Sequence, residues 1–247
     1  MENRLTFGLD AAAYRRYRPA YPPSLYEYLA ALAPNHECAL DCATGNGQAA
    51  VDLARHFDRV CGFDSSRAQI EAAITHPRVE YRVAEAESLP YPARSFSLVT
   101  AAQAAHWFEL SSFYREIRRV GKPGCLVAIW GYSYSQVDPE VDAIVDEALL
   151  RPIEPFWSRG NLVILERYQQ IEFPFDEVGW PGFEASNTWS RDDYLRYLGT
   201  WSAVRKYAEA SGNDPVAALD DRLSAVWPAG ETRSVRFEFV GRAGRIA

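Results

Sequence analysis

Between residues 38 and 132, short apolar runs alternate with stretches whose apolar positions recur every three to four residues. That is the pattern of a parallel sheet covered by helices. "CALDC" (38–42), "RVCGFD" (59–64), "VEYRVA" (79–84), "FSLVTAA" (96–102) and "CLVAIWGY" (125–132) are predicted as five strands. Helices are predicted between them near 47–56, 66–75 and 111–120. The loop "ESLPYPARS" joins the third and fourth strands, and the turn "GKPG" (121–124) precedes the fifth. Ahead of the first strand, "PPSLYEYLAALAP" reads as a helix opened by Pro22, Pro23 and Ser24 and stopped at Pro34.

Past Tyr134 the rhythm changes. Residues 138–150 read as helical, 151–190 are rich in Pro, Gly and Trp without a clear period, and "RDDYLRYLGTWSAVRKYAEA" reads as two helices broken near Gly199. "RSVRFEFVGRAGRI" alternates as a final strand. The expected fold is α/β: a Rossmann-like, doubly wound, mostly parallel seven-stranded sheet with helices on both faces and a helical lid. Its expected parts are a core with an N-terminal cover segment (1–134), lid and substrate-side insertions (135–231), and a last strand returning to the core sheet (232–247).

Composition narrows the function classes. No apolar run reaches membrane-spanning length and "MENRLTFGLD" is no signal peptide, so a cytoplasmic protein is expected. The net charge of −7 lacks the basic field that duplex nucleic acid demands, which leaves a small molecule as the expected partner. Cys38, Cys42, Cys61 and Cys125 lie in or beside apolar segments without paired spacing, and read as core residues rather than metal ligands.

The candidate chemistry begins at "ALDCATGNGQ" (39–48), where a buried strand ends in an acid and runs into a glycine-rich turn. Ligands of doubly wound sheets bind at the carboxyl ends of strands near the topological switch. Gly45, Gly47 and Ala50 fit a dinucleotide pattern. Asp41, Ala43, Gly45 and Gly47 fit the pattern of S-adenosylmethionine (SAM) enzymes, and spacing alone does not decide. A carboxylate at Asp41 would repel a pyrophosphate but not a sulfonium and an ammonium, which favours SAM. Asp64 closes the second strand at the distance expected of a carboxylate that accepts both ribose hydroxyls. Ser65 beside it joins the same set, and either Ser65 or Ser66 could cap the next helix. After the third strand, Glu85 and Ala86 stand where a carboxylate and a backbone N–H can meet an adenine ring.

Four stretches together carry a family resemblance: "FGLDAAAYRRYRPAYP", "DCATGNGQA", "AEAESLPYPARSFSLVTAAQAAHWF" and "REIRRVGKPGCLVAIWGY". The chain resembles class I SAM-dependent methyltransferases of the type 11 group, in particular trans-aconitate methyltransferase-like enzymes. It departs from them at Ala43, where the family usually has glycine. The resemblance implies SAM as cofactor and places Gln103, His106 and Trp107 beside the methyl donor. It also implies that the N-terminal segment folds over the cofactor, with Arg18 toward the methionine carboxylate and Tyr14 and Tyr21 closing the pocket.

His106 is the best-placed base just beyond the fourth strand, and Trp107 can face a sulfonium. Arginines at 151, 159, 167, 191, 196 and 205, set among tryptophans, suit a small acid with an apolar body, whose methylation needs no base. The expected activity is therefore methylation of a small molecule, with O-methylation of an organic acid as its finer form. A nicotinamide-dependent oxidoreductase or a non-catalytic SAM-binding protein are the alternatives.

Overall fold

The computed structural model describes residues 19–247. Its central sheet runs in the order β3-β2-β1-β4-β5-β8-β6, with β7 pairing β8 off this path, so there are eight strands where seven are expected. The strands are β1 Cys38–Cys42, β2 Arg59–Asp64, β3 Val79–Val83, β4 Phe96–Ala102, β5 Gly121–Tyr132, β6 Asp176–Val178, β7 Phe183–Ser190 and β8 Thr232–Arg245. The first five are parallel, while β8 runs antiparallel to both β5 and β6. Every residue of β1 is buried, as a strand covered on both faces requires.

Order reverses beside β1, since β2 lies on one side of it and β4 on the other. The carboxyl ends of β1 and β4 therefore flank the switch point, which is where this topology opens a crevice. Asp41 stands level with Thr100 across that pair.

The chain folds into two compact units. One comprises Ala20–Ser133, Val163–Phe183 and Phe239–Ala247. It holds the five parallel strands and a core built from Leu40, Phe63, Phe96, Val99, Ile129, Tyr168 and their neighbours. Helix Pro23–Leu32 forms as expected, with Pro23 in its first turn. The helices after β1 and β2 are shorter than their periodicity suggests, covering only Gln48–Leu53 and Arg67–Glu71, whereas Leu110–Val120 matches its prediction. The predicted turn 121–124 is absorbed into β5, which starts at Gly121 opposite Phe96 with an irregular register beyond it. All four cysteines are free and buried.

The other unit includes Tyr134–Leu162 and Glu184–Glu238. Helix Pro139–Val145 continues through the π-type segment Asp146–Leu150 into Arg151–Ile153. Helices Arg191–Gly199 and Ser202–Ser211 flank the predicted break at Gly199. Helix Pro215–Leu223 is an addition, started by Asp214, whose carboxylate accepts from the N–H groups of Val216 and Ala217. Ser190 and Asp193 form a reciprocal capping box, which fixes where Arg191–Gly199 begins. Trp227 is fully buried and stacks on Tyr194, and Arg233 covers its ring while bonding Asp138. Among the described residues no helix is long and apolar enough to cross a membrane.

Candidate active site at the switch point

Asp41 is 1% exposed, and both its oxygens are taken: Thr44 donates to one at 2.6 Å and Thr100 to the other at 2.9 Å. Burial pushes its carboxyl up to about 6, against the two hydroxyls, and the charge on Asp64 adds to the rise. Asp41 thus ties the glycine turn to β4, a role its position at the strand end does not reveal.

Three of the turn's backbone donors are also spent. Thr44 N–H bonds the Phe63 carbonyl at 2.8 Å, Gly45 N–H bonds Asp64 at 2.9 Å, and Gly47 N–H bonds the Thr44 carbonyl at 2.9 Å. A pyrophosphate cradle draws on such groups, so their use within the protein counts against a dinucleotide here. Ala43 and Gly47 sit in the left-handed region at φ 51° and 86°. This explains why a glycine is the easier residue at position 43. At Gly47 any Cβ would fall 2.1 Å from the Tyr81 hydroxyl, so the turn is closed from below by a tyrosine of β3.

Asp64 is partly buried, and burial raises its pKa against the bonds from Ser66 and Gly45. Its second oxygen accepts from Ser66 N–H at 2.8 Å. The following helix is capped by the Ser66 hydroxyl, while Ser65 is exposed. A carboxylate offers about four lone pairs, so Asp64 keeps two for hydroxyl donors, which fits a ribose. Ala86 is buried, and Glu85 forms a short bridge with Ser88.

At the end of β4, Gln103 is left-handed at φ 54° and donates its N–H to the Trp130 carbonyl at 2.7 Å. The turn Ala105–Trp107 follows. His106 lies with its ring centroid 4.6 Å from that of Trp107, which is 38% exposed, and with Nδ1 3.4 Å from the Tyr168 hydroxyl. Burial holds the His106 imidazole down at about 3, so it is uncharged at neutral pH. Tyr168 was not anticipated: it sits 62 residues from its partner, in a stretch without periodicity.

Tyr14 and Arg18 lie outside the described residues. Tyr21, expected to close the pocket, packs edge-on against Tyr26, Trp130 and Phe239 instead, because its ring fits among these aromatic side chains. In the helical unit, Arg151 pairs with Asp146 at 2.8 Å, Arg191 with Asp220 at 2.7 Å and Arg196 with Asp193 at 3.8 Å. Those three serve their own unit's acids. Arg205 Nε is buried without a partner among the described residues. Trp157 and Trp201 pack on each other and on Tyr134 with centroids 5.6–6.3 Å apart, which leaves no gap between the rings.

Comparison with known proteins agrees with the fold. Residues 40–129 match a type 11 methyltransferase domain. A Dictyostelium discoideum protein named as a methyltransferase is 31% identical over 221 residues, which span 88% of this chain and 84% of that one. An uncharacterized methyltransferase of Schizosaccharomyces pombe is 25% identical over 95% of this chain and 94% of its own length. A solved structure from Anaeromyxobacter dehalogenans, named as a type II methyltransferase, superposes with a TM-score of 0.88 at 41% identity, over 93% of this chain and 98% of that one. The chain belongs to the class I SAM-dependent methyltransferases.

Proposed function

We propose that this methyltransferase acts on a small organic acid, methylating a carboxylate oxygen as a trans-aconitate methyltransferase-like enzyme would. The observation that carries this reading is the setting of His106: its Nδ1 faces the Tyr168 hydroxyl at 3.4 Å, and among the described residues no carboxylate bonds the ring to raise its basicity. Burial lowers its pKa further, which makes it a poor base for a hydroxyl or a carbon acid. A carboxylate needs no base, because it is already an anion.

When bound, SAM supplies a methyl group on a sulfonium that is itself the leaving group. Asp64 would hold the ribose through its two remaining lone pairs, beside Ser65. Glu85 and the Ala86 backbone would meet the adenine. Asp41 would act through the turn Ala43–Gly47 that it braces. Gln103, His106 and Trp107 would border the methyl group and exclude water, and Tyr14 and Arg18 belong to the same assignment. Alignment of nucleophile and methyl is then the protein's main contribution, a term of about 7–11 kcal/mol in well-oriented systems.

The test is release of S-adenosylhomocysteine across a panel of small carboxylic acids, phenols and carbon acids. Carboxylic acids should be turned over, and His106→Ala should lower kcat less than tenfold. A loss of a thousandfold or more in that variant, with SAM binding unchanged, would end the carboxylate reading.

A further inference from the structure

The Tyr168 hydroxyl lies 3.4 Å from His106 Nδ1 and 3.4 Å from the Trp130 carbonyl oxygen. A phenol has one proton to give. The carbonyl can only accept, whereas Nδ1 can bond the same oxygen as donor or as acceptor. If the phenol proton goes to the carbonyl, Nδ1–H donates to the phenol oxygen and both contacts are hydrogen bonds. If it goes to Nδ1, one bond remains and two oxygen lone pairs face each other. The first arrangement makes the greater number of bonds, and hydrogen-bond count is what assigns a tautomer.

Two independent features show that the fold is built around this hydroxyl. Arg167 and Tyr168 are consecutive non-glycine residues in the left-handed region, at φ 60° and 58°, a costly backbone that places the Tyr168 ring in full burial. Opposite it, β5 carries Gly131 in place of a side chain. A Cβ there would lie 3.1 Å from the Tyr168 hydroxyl and 2.8 Å from Gln103 Oε1. Glycine weakens a strand interior, and this one keeps room for both groups.

We propose that Tyr168 is a positioning residue that fixes His106 as its Nδ1–H tautomer, so that Nε2 is left as a lone pair that reads a hydrogen-bond donor on the methyl acceptor. Among the described residues nothing bonds Nε2. The preferred substrates are then small carboxylic acids that also carry a hydroxyl or amide N–H, and this substrate half rests on the proposed function above. A site that hydrogen-bonds a substrate group discriminates strongly against the analogue without it.

The tautomer is read directly in the full-length protein by nitrogen-15 NMR with labelled histidine, and the signal is assigned by its loss in His106→Gln. Wild type should show Nδ1–H, and Tyr168→Phe, which removes the acceptor oxygen, should move the proton toward Nε2. An Nε2–H signal in wild type, or an unchanged tautomer in folded Tyr168→Phe, overturns the assignment. The second arm compares kcat/KM for 3-hydroxybutanoate and butanoate, with a preference of at least tenfold for the hydroxy acid that shrinks in Tyr168→Phe. Equal values in wild type overturn the substrate half. If no carboxylic acid is methylated, the proposed function falls, and the NMR result still decides the role of Tyr168.

Discussion

Asp41 places a titration inside the range of ordinary assays. Its folded pKa of about 6 stands above the ordinary aspartate value, so the carboxyl is neutral below that pH and charged above it. In the proposed binding mode a neutral Asp41 would lose its long-range attraction for the sulfonium and ammonium of SAM. SAM affinity should therefore rise about tenfold between pH 5 and pH 7.5, and the dependence should flatten in Asp41→Asn. Calorimetry at three pH values checks this, and an affinity that is flat with pH in wild type would contradict it. His106, at about 3, does not titrate in that window. The placement of Asp41 and Asp64 beside the glycine turn was legible because each acid lies at or near the carboxyl end of an apolar strand. Thr100 and Tyr168 were not, because their partners lie 59 and 62 residues away and only the folded register brings them together.

Among the elements, the glycine turn and β3 are one packed piece. Gly47 combines φ 86° with a tyrosine 2.1 Å from where its Cβ would be, so Gly47→Ala meets both backbone strain and a clash. The expected cost is roughly 2–5 kcal/mol in urea unfolding. Adding Tyr81→Ala should recover only the packing share, leaving the left-handed strain in place. A Gly47→Ala variant as stable as wild type would show that the turn is not held as described. The strands were readable because each is a short apolar run between turn residues. Helix lengths were overread because the periodic pattern continues past Leu53 and Glu71 into residues whose backbone closes tighter turns, as in the bonds from His56 N–H to Leu53 and from Ala73 N–H to Ile70, before the chain leaves the helix. The β5 start was misplaced because a turn sequence, GKPG, is accommodated within a strand by its irregular register.

At the scale of the molecule, the two units are interleaved in sequence, and β8 contributes to both: Thr232–Glu238 to the helical unit and Phe239–Arg245 to the sheet unit. The second half pairs with β5 from Tyr132↔Phe239 to Leu126↔Arg245 and buries Phe239, Val240 and Ala243. That burial is on the order of 5 kcal/mol, comparable to the whole stability of many domains. A chain ended at Glu238 should therefore lose its cooperative melt and elute as aggregates in size-exclusion chromatography. A monomer melting within a few degrees of wild type would refute this. The closing strand was legible from its alternation, but its membership of two units was not, since sequence pattern reports a strand's faces and not its partners.

The same strand sets a timetable. Tyr132 and Phe239 are neighbours in the sheet but about a hundred residues apart on the message, so at ribosomal speed roughly 5–20 s pass between their syntheses. Throughout that interval the nascent chain carries an apolar strand, Leu126–Tyr132, without its β8 partner, which is the period in which a holding chaperone, or another nascent copy of the same chain, has its opportunity.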